Sequence, residues 1–108
     1  MTTKAIVPRA RARQDVEEVV DYYLAQAGAD MALGFVEDLQ QAYALIARHP
    51  SSGSLRYAYE LTIPNLRTAR LKRFPYLIFY NEQPGHVDVW RVLHSSQNIP
   101  EWLQSTEQ

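Results

Sequence analysis

Five consecutive apolar or aromatic residues, Tyr76-Leu77-Ile78-Phe79-Tyr80, constrain this chain more than any other stretch. A strand of that composition left open on one face is a template for aggregation, so it demands cover on both sides. It belongs at the centre of a small antiparallel sheet. Two shorter runs accompany it. Thr68 to Lys72 alternates imperfectly, with Ala69 and Leu71 on one side, and Val87 to Leu93 forms a third run. Pro84-Gly85 suits positions i+1 and i+2 of a type II turn, which makes the last two runs a hairpin. Arg67, Arg70, Lys72, Arg73 and Arg91 are threaded through these strands. A sheet with that many cations either pairs with a partner's acids or touches something anionic.

With 108 residues the chain has room for one domain with a real core, and residues 1–108 are read as that domain. The absence of cysteine excludes disulfides and thiolate metal sites. No histidines and acids show ligand spacing, so neither a metal nor a cofactor is expected. The start, MTTKAIVPRARAR, lacks the apolar core of a secretion signal. No run approaches the roughly 18 apolar residues of a membrane span. A soluble, cytoplasmic protein is the expectation. The net charge of -1 conceals an asymmetry. Lys4, Arg9, Arg11 and Arg13 precede any acid, whereas Asp15 to Arg48 is strongly acidic. Such a split bears on partners rather than on fold.

Lys4 to Val7 reads as a short first strand closed by Pro8, with a helix starting there or just after. Val16, Val19, Val20, Tyr23 and Ala27 share one helical face. Gly28 suits a C-terminal cap, and Asp30 an N-cap for a second helix striped by Ala32, Phe35, Val36, Leu39, Ala42, Tyr43 and Ile46. That helix ends near His49-Pro50. So short a link makes an αα-hairpin whose apolar faces must cover the sheet. Residues 50–65 read as irregular, with Leu61 and Ile63 tucked onto the core and a mobile Ser51–Ser54 tip. Asn98, Ile99, Pro100, Trp102 and Leu103 suit a brief terminal helix, and Ser105 to Gln108 a frayed end. The fold class is α+β: a small antiparallel sheet packed against an N-terminal helical hairpin, in the order β-α-α-β-β-β with a short C-terminal helix as an option.

An ordered set of residues carries a family likeness. It runs from Pro8, Asp15 and Tyr22-Tyr23 through Arg48-His49-Pro50, Gly53 and Leu66-Arg67. Its sharpest part is Arg73-Phe74-Pro75-Tyr76-Leu77-Ile78-Phe79-Tyr80, followed by Arg91-Val92-Leu93-His94 and Ile99-Pro100. Taken together the chain resembles the RelE/ParE superfamily of type II toxin–antitoxin systems, and FPYLIFY with RVLH lies closer to the ParE branch. That resemblance implies a plasmid-stabilising toxin that inhibits DNA gyrase by binding, with no catalysis of its own. It also implies a cognate ParD-like antitoxin, held in a hetero-oligomer by a helix and an added strand. The alternative is a ribosome-dependent messenger-RNA endoribonuclease of RelE type. RelE members carry a basic pair after the last strand and a tyrosine near the C-terminus. Here Ser95, Ser96, Gln97 and Asn98 stand after the last strand, and no tyrosine follows Tyr80. Many ParE members have Arg-Asp where Gln97-Asn98 stands. A third reading is a degenerate member that binds its antitoxin without toxicity.

The residues expected to meet the antitoxin or target are Arg67, Arg70, Lys72, Arg73, Tyr80, Trp90, Arg91 and Trp102, with Arg70, Lys72 and Arg91 on one surface. Under the endoribonuclease reading Arg70, Lys72, Arg91 and His94 are the weak catalytic candidates, since phosphodiester cleavage needs a base, an acid and cations. Otherwise His94 ends a strand and bonds locally. Arg9, Arg11 and Arg13 are expected to pair with Asp15, Glu17 or Glu18 within the first helix. The acidic helices would repel a phosphate backbone, so sequence-specific nucleic-acid binding by the chain alone is not expected.

Overall fold

The computed structural model describes residues 3–97 together with Ile99. The terminal helix expected around Pro100 and Trp102, its Asn98 cap and the frayed end from Ser105 lie outside the described residues. The chain begins with β1 (Ala5–Pro8), continues through helices α1 (Ala10–Gln26) and α2 (Ala29–Arg48), and makes a 3-10 turn over Pro50–Ser52. A short helix α3 (Arg56–Leu61) leads into β2 (Arg67–Arg70), β3 (Tyr76–Glu82) and β4 (His86–His94). The fold is α+β.

The sheet order is β1-β4-β3-β2, which puts the YLIFY run in an inner strand as expected. Strand β3 is antiparallel to both β2 and β4. Strand β1 is parallel to β4, with Ala5 opposite His86 and Pro8 opposite Val89. The sheet is therefore mixed rather than wholly antiparallel. A parallel partner needs a long crossover, and here the helical hairpin and everything up to β3 intervene. Four residues of alternating pattern carry no sign of strand direction. Pro8 ends β1, and the Arg9 N–H still bonds the Val89 carbonyl at 2.9 Å before α1 begins.

Both faces of β3 are covered, by different elements. On one face Tyr76, Ile78 and Tyr80 pack with Phe35, Leu39 and Ile46 of α2 and with Ala12 of α1. On the other, Leu77 and Phe79 meet Leu93, Ile99 and a cover made by Tyr57, Leu61, Ile63 and Leu66. The helical stripes fall where the 3.6 period puts them, except that Ala27 is exposed. Gly28, at φ 97°, closes α1 with its N–H on the Tyr23 carbonyl and also stands as the N-cap of α2. A left-handed junction residue of that kind is a natural glycine position. Asp30 therefore sits inside the first turn of α2 instead of capping it.

Two local expectations change, and a bulge adds to them. Gly85 does not have a positive φ, which rules out a type II turn; the hairpin closes with the Gln83 N–H on the His86 carbonyl at 2.8 Å. The irregular segment contains α3, ended by Thr62 in the left-handed region (φ 56°, ψ 42°). Its Ser51–Ser54 tip is tied down: Ser54 forms a two-bond bridge with Thr68, and Gly53 N–H meets the Tyr80 hydroxyl. Finally, a β-bulge between β3 and β4 pairs Phe79 with Arg91 and Tyr80 with Val89, leaving Trp90 as the extra residue. Bulges re-aim neighbouring side chains, and this one precedes the most consequential arginine in the protein.

Candidate functional site

Arg91 is fully buried. Its Nε donates to Asp15 Oδ2 at 2.7 Å and its Nη2 to Asp15 Oδ1 at 2.8 Å, a two-point fork onto α1. Asp15 Oδ2 also accepts the Val92 N–H at 3.0 Å. Arg91 is therefore a structural cation and not part of a surface with Arg70 and Lys72, because water-free burial of a guanidinium is tolerable only opposite a carboxylate. Asp15 is engaged across the fold and not with an arginine of its own helix. Arg9, for its part, grips Asp88 in β4 at 2.8 and 3.1 Å.

Tyr80 is withdrawn in the same way. It has no exposed surface; its hydroxyl donates to the Pro50 carbonyl at 2.8 Å and accepts from Gly53 N–H at 3.1 Å. Burial raises its pKa, against the lowering pull of the Gly53 N–H and of Arg67. Arg67 is half-buried and donates from Nη1 to the carbonyls of Ser51 and Gly53 at 2.9 and 2.8 Å. Tyr80 and Arg67 thus clamp the turn after α2. Trp90 is half-buried against the α3-side core, with the Arg9 guanidinium 4.5 Å from its ring centroid. Trp102 lies outside the described residues.

Arg73 is exposed, stacked near Phe74, while its backbone is anchored by a residue the sequence reading passed over. Asp38 of α2 is buried, and its Oδ2 accepts the N–H groups of Arg73 and Phe74 at 2.9 and 3.0 Å. This fixes the corner between β2 and β3. Asp15 and Asp38 share a legible signal: each is an acid on the apolar stripe of its helix, Asp15 between Ala12 and Val16, Asp38 between Phe35 and Leu39. An acid there must be paired.

His94 ends β4 and bonds locally. Its Nδ1 takes the Ser96 N–H at 3.1 Å and lies 2.7 Å from Ser96 Oγ, while its ring meets the Tyr76 ring edge-on at 5.1 Å. The last two cations do come together. Arg70 and Lys72 are exposed on the border of a cavity of about 300 Å³ between the C-terminal half of α2 and β2. Ala42, Leu45, Ile46 and Ala69 give it an apolar lining, and Arg48 adds a third cation. The carboxylate in its wall, Asp38, is committed to backbone N–H groups. Strand β2 is also the edge of the sheet. Thr68 turns its backbone groups outward to Ser54, so by strand alternation those of Arg70 point outward too.

An apolar groove with a cationic border, beside the part of the β2 edge that the Ser54–Thr68 bridge leaves open, is a geometry for an acidic, partly extended protein segment. Residues 6–99 match the family model described as the ParE toxin of the type II toxin–antitoxin system, parDE. The chain belongs to the ParE toxin family. The ParE branch of the superfamily, read from FPYLIFY and RVLH, is thus the correct one. A solved ParE-like fold agrees in architecture: "Chromosomal ParDE TA system from P. aeruginosa" superposes with a TM-score of 0.71 at 18% identity, covering 85% of this chain and 96% of that one. No curated protein sequence matches. Within this ParE-family fold, the residues brought to one open surface are Arg48, Arg70 and Lys72, whereas Arg67, Tyr80 and Arg91 hold the scaffold. Among the described residues no helix of the ParE-family chain is long and apolar enough to cross a membrane.

Proposed function

We propose that this chain is a gyrase-directed toxin, acting by binding rather than by catalysis and neutralised by a ParD-like antitoxin made beside it. The supporting observation is the division of labour among its cations. Arg91 is consumed by Asp15 and His94 by Ser96, which leaves Arg70 and Lys72, without ion pairs among the described residues, around the α2–β2 groove. An acidic antitoxin segment laid there would pair with three cations, bury the apolar lining and extend the edge of β2. The family membership supplies the toxin role, and the groove supplies a surface on which it can be silenced.

The test is expression of the chain alone in growing cells, with DNA synthesis and translation followed separately. DNA synthesis should stop first, with filamentation and an SOS response, and co-expression of the neighbouring short reading frame should restore growth. In the Arg70→Glu/Lys72→Glu variant that rescue should weaken, with antitoxin affinity down at least about tenfold. Translation stopping first, with cut transcripts, would favour the ribosome as target. Unimpaired growth would favour a member that has lost its toxicity.

A further inference from the structure

Between α1 and the end of the sheet where Tyr76 pairs with His94 lies another cavity, of about 370 Å³. It shares no lining residue with the α2–β2 groove. Tyr22, Tyr76 and His94 bring three rings to its wall, and Val19 and Val92 supply aliphatic surface. The rings are held in sequence by edge-to-face contacts. Tyr22 meets Tyr23 at 5.5 Å, Tyr23 meets Tyr76 at 6.5 Å, and Tyr76 meets His94 at 5.1 Å. Tyr22 stands at the mouth and is 58% exposed.

The charge around this cavity has one sign. Glu18 is in its wall, one helical turn before Tyr22, so the two side chains reach the same hollow. Among the described residues Glu18 has no ion pair, and its one hydrogen bond is a long one, from Gln14 Nε2 at 3.3 Å. The other carboxylate of the wall, Asp15, is taken up by Arg91 and the Val92 N–H. No lysine or arginine lines the cavity among the described residues. Glu17 and Asp21 flank it on exposed positions of α1, and they too are without ion pairs among the described residues.

Aromatic rings beside an unpaired carboxylate make a receptor for a positive group, because ring faces are negative. A guanidinium suits it better than an ammonium. Its plane stacks on a ring while its N–H fork reaches the carboxylate. Glu17 and Asp21 extend the negative field along α1, further than a single small cation needs. We propose that this cavity takes an arginine side chain of a basic protein segment, with Glu18 as its ion-pair partner and Tyr22 as its stacking platform. This inference is independent of the gyrase and antitoxin readings. Its partner carries the charge opposite to that expected along the Arg70–Lys72 border.

The test uses the full chain alone at constant ionic strength, followed by amide NMR shifts. The probes are an end-capped Ala-Arg-Ala peptide, its glutamate analogue, a longer capped peptide with two arginines, and free arginine. Saturable shifts at Val19, Tyr22 and His94 are expected, with a roughly millimolar dissociation constant for one arginine and severalfold tighter binding for two. The glutamate peptide should leave these amides unmoved. Glu18→Gln and Tyr22→Ala should each weaken binding at least about threefold, with the folded spectrum kept because both side chains are exposed. The proposal is overturned by shifts that never saturate, by an equal response to the glutamate peptide, or by binding that survives both substitutions. Free arginine binding as tightly as the two-arginine peptide would overturn the assignment to a protein segment.

Discussion

Arg91 of β4 and Asp15 of α1 form a two-point ion pair in the protein interior, with their side chains only 1% and 7% exposed. The Val92 N–H joins the same carboxylate, so one acid fastens the first helix to both the side chain and the backbone of the last strand. What reads as a surface cation in a list of sheet arginines is an internal rivet.

Removing either member leaves the other charged and buried. Arg91→Ala and Asp15→Ala should each cost about 3–5 kcal/mol, a fall in Tm of roughly 15 °C or more. The apolar double variant Asp15→Leu/Arg91→Met should recover much of that loss. Thermal melts by circular dichroism check it. If Arg91→Ala keeps its Tm yet loses toxicity, the arginine has a functional role that this structure does not give it.

Asp38 holds the β2–β3 corner through two backbone N–H groups. Asp38→Ala should destabilise by about 2–4 kcal/mol, since two buried donors lose their acceptor. Asp38→Asn keeps an acceptor oxygen and should cost less. Hydrogen exchange at the Arg73 and Phe74 amides reports the effect directly, and unchanged protection in Asp38→Ala would refute the role.

Gly53 and Tyr80 should be energetically coupled. A methyl group at Gly53 would overlap the Tyr80 hydroxyl, so Gly53→Ala should cost about 1–3 kcal/mol. Tyr80→Phe loses the bonds to Pro50 and Gly53 and should cost about 1–2 kcal/mol. In the double variant the overlap is relieved, so the sum should overshoot the measured value by at least about 0.5 kcal/mol. Simple additivity in denaturant melts would mean the two do not touch.

Alkaline pH should unfold the protein through its tyrosines. Burial first, and the Asp15 carboxylate second, push Tyr43 up to about 12. Burial likewise raises Tyr76, helped by the neighbouring Tyr23, and Tyr80. An unfolded chain releases these protons near about pH 10, while the folded chain keeps them. Stability is therefore fully present below that pH and falls as pH rises towards 12. Phenolate absorbance should show Tyr43, Tyr76 and Tyr80 ionising only as the fold is lost. A single titration near pH 10 in an intact fold would contradict this.

The fold was legible where burial dictates pattern. The YLIFY run demanded two covers, and the α1 and α2 stripes were apolar at the helical period, so the layers followed from composition alone. Strand direction was not legible, because β1 has four residues and its partner lies near the far end of the chain. Helix α3 was hidden by flanking prolines and by Thr62, a β-branched residue in a left-handed conformation that propensity disfavours. The site was half visible. Arg70 at the end of β2 and Lys72 just beyond it are exposed cations, which is all that their charge in the sequence foretold. Arg67, Tyr80 and Arg91 were misplaced because sequence shows a cation or hydroxyl but not its partner, and their partners lie far off along the chain. For Arg91 the missing clue was an acid on an apolar helical stripe.

The central claim is inhibition by surface binding, and a supercoiling assay with purified DNA gyrase and this chain tests it most directly. Supercoiling should be blocked or linear plasmid should accumulate, the effect should vanish on adding the antitoxin, and transcripts in a parallel translation reaction should stay whole. Cleaved transcripts alongside undisturbed supercoiling would contradict the account.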